Sequence, residues 1–290
     1  MVTLFLATEK GFHVLHSLLQ NQKVHVIYEV VIGTDRNVVN DYSKDIEQLC
    51  VAYNVKYCYN QLSEGIKTEY ALAISWRKLI KSDSAKIIVL HDSILPKYRG
   101  FAPLVNQLVN GEKVIGVTAL IASEQYDRGD IISQSTIPVE YPIKIHEAIQ
   151  QISICYEKIV LEIFSTLTDT NHLLLRKQRE EDATYSLWRD DEDYRINWHE
   201  KSEKIKRFID AVGFPYKGAK AILDNKMVTI GNVELVDDVF IENRDIGKII
   251  FMEKGCPTVV CGEGLLLVNE IKDEEGLDLL PLKKFRARFM

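Results

Sequence analysis

A histidine and a distant carboxylate are the residues of this 290-residue chain whose types and setting could carry acid–base chemistry. His91 directly follows an apolar run, and Asp127 stands in a glycine-containing turn 36 positions later. An imidazole takes up and releases a proton near neutral pH, and a neighbouring carboxylate can hold one tautomer of the ring and stabilise its cation. The pair therefore predicts a site for proton transfer.

The sequence before His91 indicates the element that positions it. Residues 87–90 form a continuous, β-branched and uncharged run, which is typical of a strand buried on both faces. The imidazole is therefore expected at the carboxyl end of a sheet, where open α/β folds bind their ligands. Pro96 and Gly100 shape the loop that follows. A histidine that merely caps a strand is the alternative that this position alone leaves open.

The first part of the chain alternates between strand-like and helix-like patterns. The strand-like runs cover residues 2–7, 24–32, 55–59, 72–74, 87–90, 116–121 and 131–139, and helical periodicity covers 11–19, 43–53, 102–110 and 145–167. This alternation predicts an α/β fold with a Rossmann-like parallel sheet covered on both faces.

The charged segment at residues 176–182 is typical of a solvated linker. We therefore expect a Rossmann-like domain at 1–180 and a second domain at 183–290. The second part has a helical pattern at 200–212 and short strand-like runs separated by turn residues. Gly231-Asn232 is one such turn, between strands expected at 227–230 and 233–236. These features predict a smaller, mostly β, OB-like domain.

Composition restricts the partners and the compartment. A formal net charge of −6 and a pI near 5.7 give no global attraction to a polyanion. The basic tail at residues 283–288 is the one candidate for binding RNA, and it fits an amphipathic segment packed on its own domain about as well. No apolar run approaches the ~20 residues of a membrane span, and the N-terminus lacks a signal peptide's basic region. We expect a cytoplasmic protein without membrane contact.

Metal and dinucleotide sites are not expected. The five cysteines lack C-x-x-C spacing, and the histidines other than His91 lack metal-ligand spacing. No metal is predicted. The glycines of the first part do not form a G-x-G-x-x-G turn, so the sheet is not expected to bind a dinucleotide in the usual way.

The residues around His91 and Asp127 form a longer pattern. It comprises His91, Ser93, Ile94, Leu95, Pro96, Arg99 and Gly100, then Gly116-Val117-Thr118, then Asp127, Gly129 and Asp130. This pattern resembles the signature of the folate-dependent formyltransferases, Asn-x-His-x-Ser-Leu-Leu-Pro-x-x-Arg-Gly followed by Gly-x-Thr and Asp-x-Gly-Asp. The resemblance continues more weakly over both domains, and methionyl-tRNA formyltransferase is one member of the family.

The resemblance implies transfer of the formyl group of 10-formyltetrahydrofolate to an amine, with His91 and Asp127 as catalytic residues. It further implies a folate pocket, for which we predict Ser75, Trp76, Ser93, Leu95, Pro96 and Asp127. Trp76 as an ordinary core residue is an open alternative, and Arg99 either anchors its loop on backbone carbonyls or meets an anionic part of a ligand.

One position departs from the family pattern. The family's asparagine falls on Val89, which has neither donor nor acceptor in its side chain. Ser93, a backbone N–H of the loop at 94–99, or a group on the substrate could replace it, or protonated His91 could serve alone.

The net charge of the chain and a second resemblance indicate the acceptor. The stretch at residues 185–194 is similar to the nucleotide-sugar branch of the family, and a nucleotide sugar needs few cations. We therefore expect a UDP- or dTDP-linked 4-amino-4,6-dideoxyhexose as the acceptor, with no nucleic-acid partner. Methionyl-tRNA formyltransferase is the first alternative, and a non-catalytic folate-binding or interaction protein is the second. A homodimer is left open.

Overall fold

A computed structural model describes residues 1–36, 38–82, 84–170 and 172–290. The chain divides into two compact units. The first comprises Met1–Leu104, Lys113–Val139 and Ala148–Leu187, and the second Val105–Glu112, Glu140–Glu147 and Trp188–Met290. The domain boundary expected near residues 180–183 stays a prediction.

The first part of the chain forms a seven-stranded mixed sheet, a separate two-stranded sheet and helices. The strands are β1 (Val2–Leu6), β2 (Ile27–Ile32), β3 (Tyr57–Tyr59), β4 (Tyr70–Ile74), β5 (Lys86–His91), β6 (Arg99–Gly100), β7 (Val114–Ile121), β8 (Ile131–Pro138) and β9 (Tyr185–Ser186). The helices are α1 (Thr8–Gln20), α2 (Ser43–Ala52), α3 (Pro103–Asn110) and α4 (Ile145–Asp169). The large sheet has the order β3-β2-β1-β4-β5-β7-β8, and β6 pairs with β9 in a separate two-stranded sheet.

The predicted α/β class is confirmed, with one difference at the sheet edge. Strands β1 to β5 are mutually parallel, whereas β7 runs antiparallel to β5 and β8 antiparallel to β7. The β7–β8 connection, residues 122–130, is too short for the crossover that a parallel pair needs.

The central strands β1 and β4 are covered on both faces. Every residue of β1 and β4 is buried, as expected of parallel strands covered on both faces. Because parallel strands end at the same edge of a sheet, the residues after β1 and β4 lie along the edge that holds His91. This edge carries the candidate site.

The C-terminal part is mostly β, as predicted. Its helix is α5 (Ser202–Val212), and its strands are β10 (Ala219–Leu223), β11 (Lys226–Val236), β12 (Ile249–Glu253), β13 (Cys256–Val260) and β14 (Leu265–Lys272). They form an antiparallel sheet of order β10-β11-β14-β13-β12.

The turn expected at Gly231-Asn232 is wrong. Strand β11 passes through these residues, and its register with β14 shifts there. Gly231 lets the Glu270 carboxylate approach closely, since a Cβ there would lie 2.4 Å from one of its oxygens unless that side chain moved. A β-bulge with glycine in a continuous strand gives the same sequence signal as a turn.

In the described ranges, no helix has both the length and the apolarity that crossing a membrane requires. No three histidine, cysteine or acidic side chains converge as metal ligands in the same ranges.

Candidate active site

His91 is the last residue of β5 and is 7% exposed. Its neighbour in the register of β7 is Thr118. The ring Nε2–H donates to the backbone carbonyl of Tyr98 at 2.8 Å, and Nδ1 lies 3.5 Å from Oδ1 of Asp127. The structure thus brings together the histidine and the carboxylate that the sequence analysis paired.

The Tyr98 carbonyl determines which nitrogen of neutral His91 carries the proton. A carbonyl oxygen only accepts, so Nε2 must be protonated, and the lone pair of Nδ1 then faces Asp127. The tautomer is therefore selected by a backbone carbonyl and not, as we expected, by the carboxylate. Nδ1 is the nitrogen left to exchange a proton beside Asp127.

Asp127 is fixed by hydrogen bonds to its carboxylate and to its backbone. Its Oδ2 accepts from the N–H of Gly100 at 2.8 Å. The side-chain amide of Gln178 donates to the carbonyls of Asp127 at 2.7 Å and Gly129 at 2.8 Å. Gly129 cannot carry a side chain, because a Cβ there would lie 1.7 Å from the Ile121 carbonyl oxygen.

The loop after His91 is held by buried hydroxyl groups. Ser93 is fully buried, and its hydroxyl donates to the Lys97 carbonyl at 2.6 Å. The Thr118 hydroxyl donates to the Ser93 carbonyl at 2.7 Å and accepts from the N–H of Leu95 at 3.0 Å. The Ser93 proton is thus used inside the loop and cannot replace the donor missing at Val89. The loop continues through a cis Leu95–Pro96 bond.

An apolar wall lies next to the pair. Val89 packs against two buried clusters, one containing Phe5 and Ala73 and the other Leu95 and Leu120. Trp76 follows β4 and packs edge-on against Phe5, with ring centroids 5.1 Å apart.

The Trp76 ring also packs against the backbone of Gly33. A Cβ at Gly33 would lie 2.9 Å from its ring. Its Nε1–H is buried and has no hydrogen-bond partner in the described part of the chain. Trp76 thus combines the packing of a core residue with one unsatisfied donor.

Backbone strain is present at this edge. Several non-glycine residues that follow its strands or lie in the loops between them have positive φ, a conformation that costs about 1–3 kcal/mol each. They include Thr8, Asn60, Ser75, Tyr98, Ala102 and Asp127. Such strain persists where the surrounding contacts enforce it, and it is typical of functional sites.

A buried ionic cluster supports the residue after His91. Asp92 pairs with Lys10 of α1 and accepts from the Tyr156 hydroxyl of α4 at 2.5 Å. Burial acts to raise the pKa of the Asp92 carboxyl, but the Lys10 ammonium and the Tyr156 hydroxyl outweigh it and lower this pKa. Asp92 is therefore held as an anion, and the three residues tie the end of β5 to α1 and α4.

Arg99 anchors its loop, though on side chains and not on backbone carbonyls. Arg99 is 1% exposed. Its guanidinium donates to both carboxylate oxygens of Glu180 at 2.9 Å and to the side-chain oxygen of Gln178. Sequence reasoning missed Gln178, the Tyr98 carbonyl and Lys10. Gln178 lay within the charged run that we interpreted as a linker.

Comparison with known proteins identifies the class. Residues 65–158 match the family model described as formyl transferase, and residues 189–285 match that of the formyl transferase C-terminal domain. The methionyl-tRNA formyltransferase of Thermodesulfovibrio yellowstonii is 27% identical over 227 residues, which cover 77% of this chain and 71% of that protein.

Two solved structures share the fold. An N-formyltransferase from Helicobacter canadensis, in complex with folinic acid and dTDP-3-aminofucose, has a TM-score of 0.68 at 17% identity, covering 92% of this chain and 97% of that one. HypX from Aquifex aeolicus, in complex with tetrahydrofolic acid, has a TM-score of 0.63 at 17% identity. The match to HypX covers 95% of this chain and 45% of HypX.

The chain belongs to the formyl transferase family. The predictions of a folate-dependent formyltransferase and of 10-formyltetrahydrofolate as its co-substrate are confirmed at the level of this family.

Proposed function

We propose that this chain moves the formyl group of 10-formyltetrahydrofolate onto the amine of a nucleotide-linked amino sugar, of the UDP- or dTDP-4-amino-4,6-dideoxyhexose type, for surface glycan biosynthesis. The observation that carries the chemistry is His91 Nδ1 lying 3.5 Å from Asp127 at the strained carboxyl edge of the sheet. The observation that favours a small acceptor is the pairing of charges in the basic tail.

The pair supplies the proton transfers that attack by an amine requires. The amine must lose a proton and the leaving group must gain one. His91 accepts the first proton on Nδ1 and donates it again from the same nitrogen. Asp127 stabilises the imidazolium in between, and the Tyr98 carbonyl keeps Nε2–H in place throughout.

The residues at this edge fit a reduced folate. The Trp76 Nε1–H is buried and unsatisfied, so an acceptor atom on a ligand beside it would remove that penalty. Val89 and Leu95 contribute an apolar wall of the kind that binds flat heterocycles. 10-Formyltetrahydrofolate supplies the formyl carbon when bound. We assign its binding to Ser75, Trp76, Ser93, Leu95, Pro96 and Asp127, with Ser93 acting through the loop that it holds and Asp127 through its charge beside His91 and not through affinity.

Val89 leaves the developing oxyanion without the family's amide donor. The hydroxyl of Ser93 is already used, so we assign the stabilisation to the positive charge that His91 gains when it accepts the amine proton.

Replacing Val89 by asparagine is expected to give no more than a twofold rise in kcat. The amide would enter apolar clusters, and burying it without partners costs about 1–3 kcal/mol of stability. Urea denaturation and steady-state rates measure both effects, with Val89→Ala as the control for lost packing. A rise in kcat of about tenfold or more would show that the site simply lacks a donor.

The acceptor assignment rests on charge. Lys284 pairs with Asp224 at 2.9 Å and Arg288 with Asp245 at 3.5 Å. Phe289 pairs with Leu223 at the end of β10, is 1% exposed and contacts Trp198, with ring centroids 5.5 Å apart. The tail is thus packed on its own domain with two of its cations neutralised, which favours a nucleotide sugar over a polyanion.

The similarity to the methionyl-tRNA formyltransferase named above favours a second candidate acceptor, the methionyl amine of charged initiator tRNA. The two acceptors differ in how many phosphates an enzyme must contact.

Salt separates the two candidates. Raising NaCl from about 50 to about 200 mM is expected to change kcat/KM for the nucleotide sugar less than about threefold, because few phosphates are contacted. A tRNA enzyme contacting six to ten phosphates would lose about 10³- to 10⁵-fold. Lys284→Ala, which removes a paired cation, is expected to leave kcat/KM unchanged. Steep salt dependence with methionyl-tRNA as the better substrate would overturn the assignment.

A further inference from the structure

The segment between α4 and β9 contacts the loop that carries Asp127. The backbone of Arg176 exchanges two hydrogen bonds of 2.8 Å with Ile131, the first residue of β8. The Arg176 guanidinium also donates to Gln134 at 2.7 Å. The charged run is therefore attached next to the 122–130 loop and is not a free linker.

Gln178 uses the whole of its amide in this contact. The two N–H bonds of Nε2 reach the carbonyls of Asp127 and Gly129, and Oε1 accepts from Nε and Nη2 of Arg99 at 3.1 and 2.8 Å. A glutamine offers two donors and one doubly accepting oxygen, so each capacity is filled. The charge on Arg99 polarises the amide and strengthens its donation to the loop.

Arg99 links Gln178 to Asp127 by a second route. Its guanidinium is buried and held by Glu180, while the N–H of the next residue, Gly100, donates to the Asp127 carboxylate. One short strand, β6, thus holds the carboxylate directly and its backbone through Gln178. Asp127 has φ +56, a left-handed conformation that is uncommon outside glycine.

We propose that Gln178 is a positioning residue for formyl transfer: its amide clamps the backbone on both sides of Arg128 and thereby sets the Asp127 carboxylate against Nδ1 of His91. The inference rests on the proposed roles of His91 and Asp127. A carboxylate displaced by about 1 Å can lower turnover about 10²-fold without weakening substrate binding.

Two variants test the amide, with one control. Gln178→Met keeps the length of the side chain and removes both functions of the amide. Gln178→Glu keeps an acceptor for Arg99 but presents a carboxylate to two carbonyl oxygens. Arg179→Gln is the control, because the Arg179 side chain is 71% exposed and its ion pairs among the described residues are with Glu181 and Asp182 of the charged run.

Both Gln178 variants are expected to lose about 10- to 100-fold in kcat, with KM for folate and acceptor within twofold. The control is expected to match the parent enzyme. Amide hydrogen exchange of residues 126–130 is expected to accelerate at least about tenfold in both variants and not in the control. If Gln178→Met does not fold, Gln178→Glu decides alone. Parental kcat and parental exchange in a folded Gln178 variant would overturn the proposal.

A double-mutant cycle separates positioning from general stabilisation. In an Asp127→Asn background, Gln178→Met is expected to cost less than about twofold more, because it acts through the carboxylate already removed. Losses that multiply would contradict the proposal. If His91→Asn and Asp127→Asn themselves keep parental activity, the proposed roles of the pair fail; if they lose it while the Gln178 variants do not, the inference alone fails. If the parent enzyme formylates no nucleotide sugar, the proposed function fails.

Discussion

Replacing His91 by asparagine is expected to lower kcat by at least about 10³-fold while leaving the fold intact. The substitution removes Nδ1, the nitrogen that faces Asp127. An asparagine N–H can still donate to the Tyr98 carbonyl, so the loop after β5 keeps its anchor. The residue is at a strand end, where its replacement does not open the core.

The measurement is the steady-state rate alongside far-UV circular dichroism. His172→Asn is the matched control, because His172 is exposed and outside the site, and it is expected to retain parental activity. A folded His91→Asn enzyme with near-parental kcat would remove His91 from the chemistry and with it the proposed mechanism.

Replacing Asp127 by asparagine is expected to lower kcat about 10²- to 10³-fold with little change in KM. The amide oxygen can still accept from the Gly100 N–H, so the change removes charge and preserves geometry. In a serine-protease triad, where the carboxylate also fixes the tautomer, the equivalent change costs about 10⁴-fold. The loss is expected to be smaller here because the Tyr98 carbonyl selects the tautomer.

Glu124→Gln is the control for Asp127→Asn, since it neutralises an exposed carboxylate in the same loop. The two variants are compared by kcat and KM for both substrates. Equal and near-parental values in both would reduce Asp127 to a turn residue.

Sequence patterns could predict the setting of His91 because the run before it is continuous, β-branched and apolar. A run of four such residues is short for a helix and rich in β-branched side chains, which favours a strand, and β5 ends at His91 as expected. The carboxylate could be paired with it on residue type and on the family resemblance, but nothing local in the turn at Asp127 indicates which strand end the carboxylate meets.

Other features could not be predicted from local patterns. Gly231 gives the same signal for a turn and for a bulge, and only the pairing of β11 with β14 on both sides of it distinguishes them. Gln178 stands in a charged run, and its partners are 51 and 79 residues away along the chain. Long-range hydrogen bonds of single polar residues leave no periodicity, so the positioning of Asp127 is visible only in three dimensions.

The most direct test of the central claim is product identification in a competition. The enzyme is given 10-formyltetrahydrofolate together with UDP- and dTDP-linked 4-amino-4,6-dideoxyhexoses and charged initiator tRNA, and the products are analysed by mass spectrometry. The account predicts that a nucleotide sugar gains one formyl group, that methionyl-tRNA does not, and that His91→Asn gives neither product. Formylated methionyl-tRNA with untouched sugars, or formylated sugar made equally by His91→Asn, would contradict it.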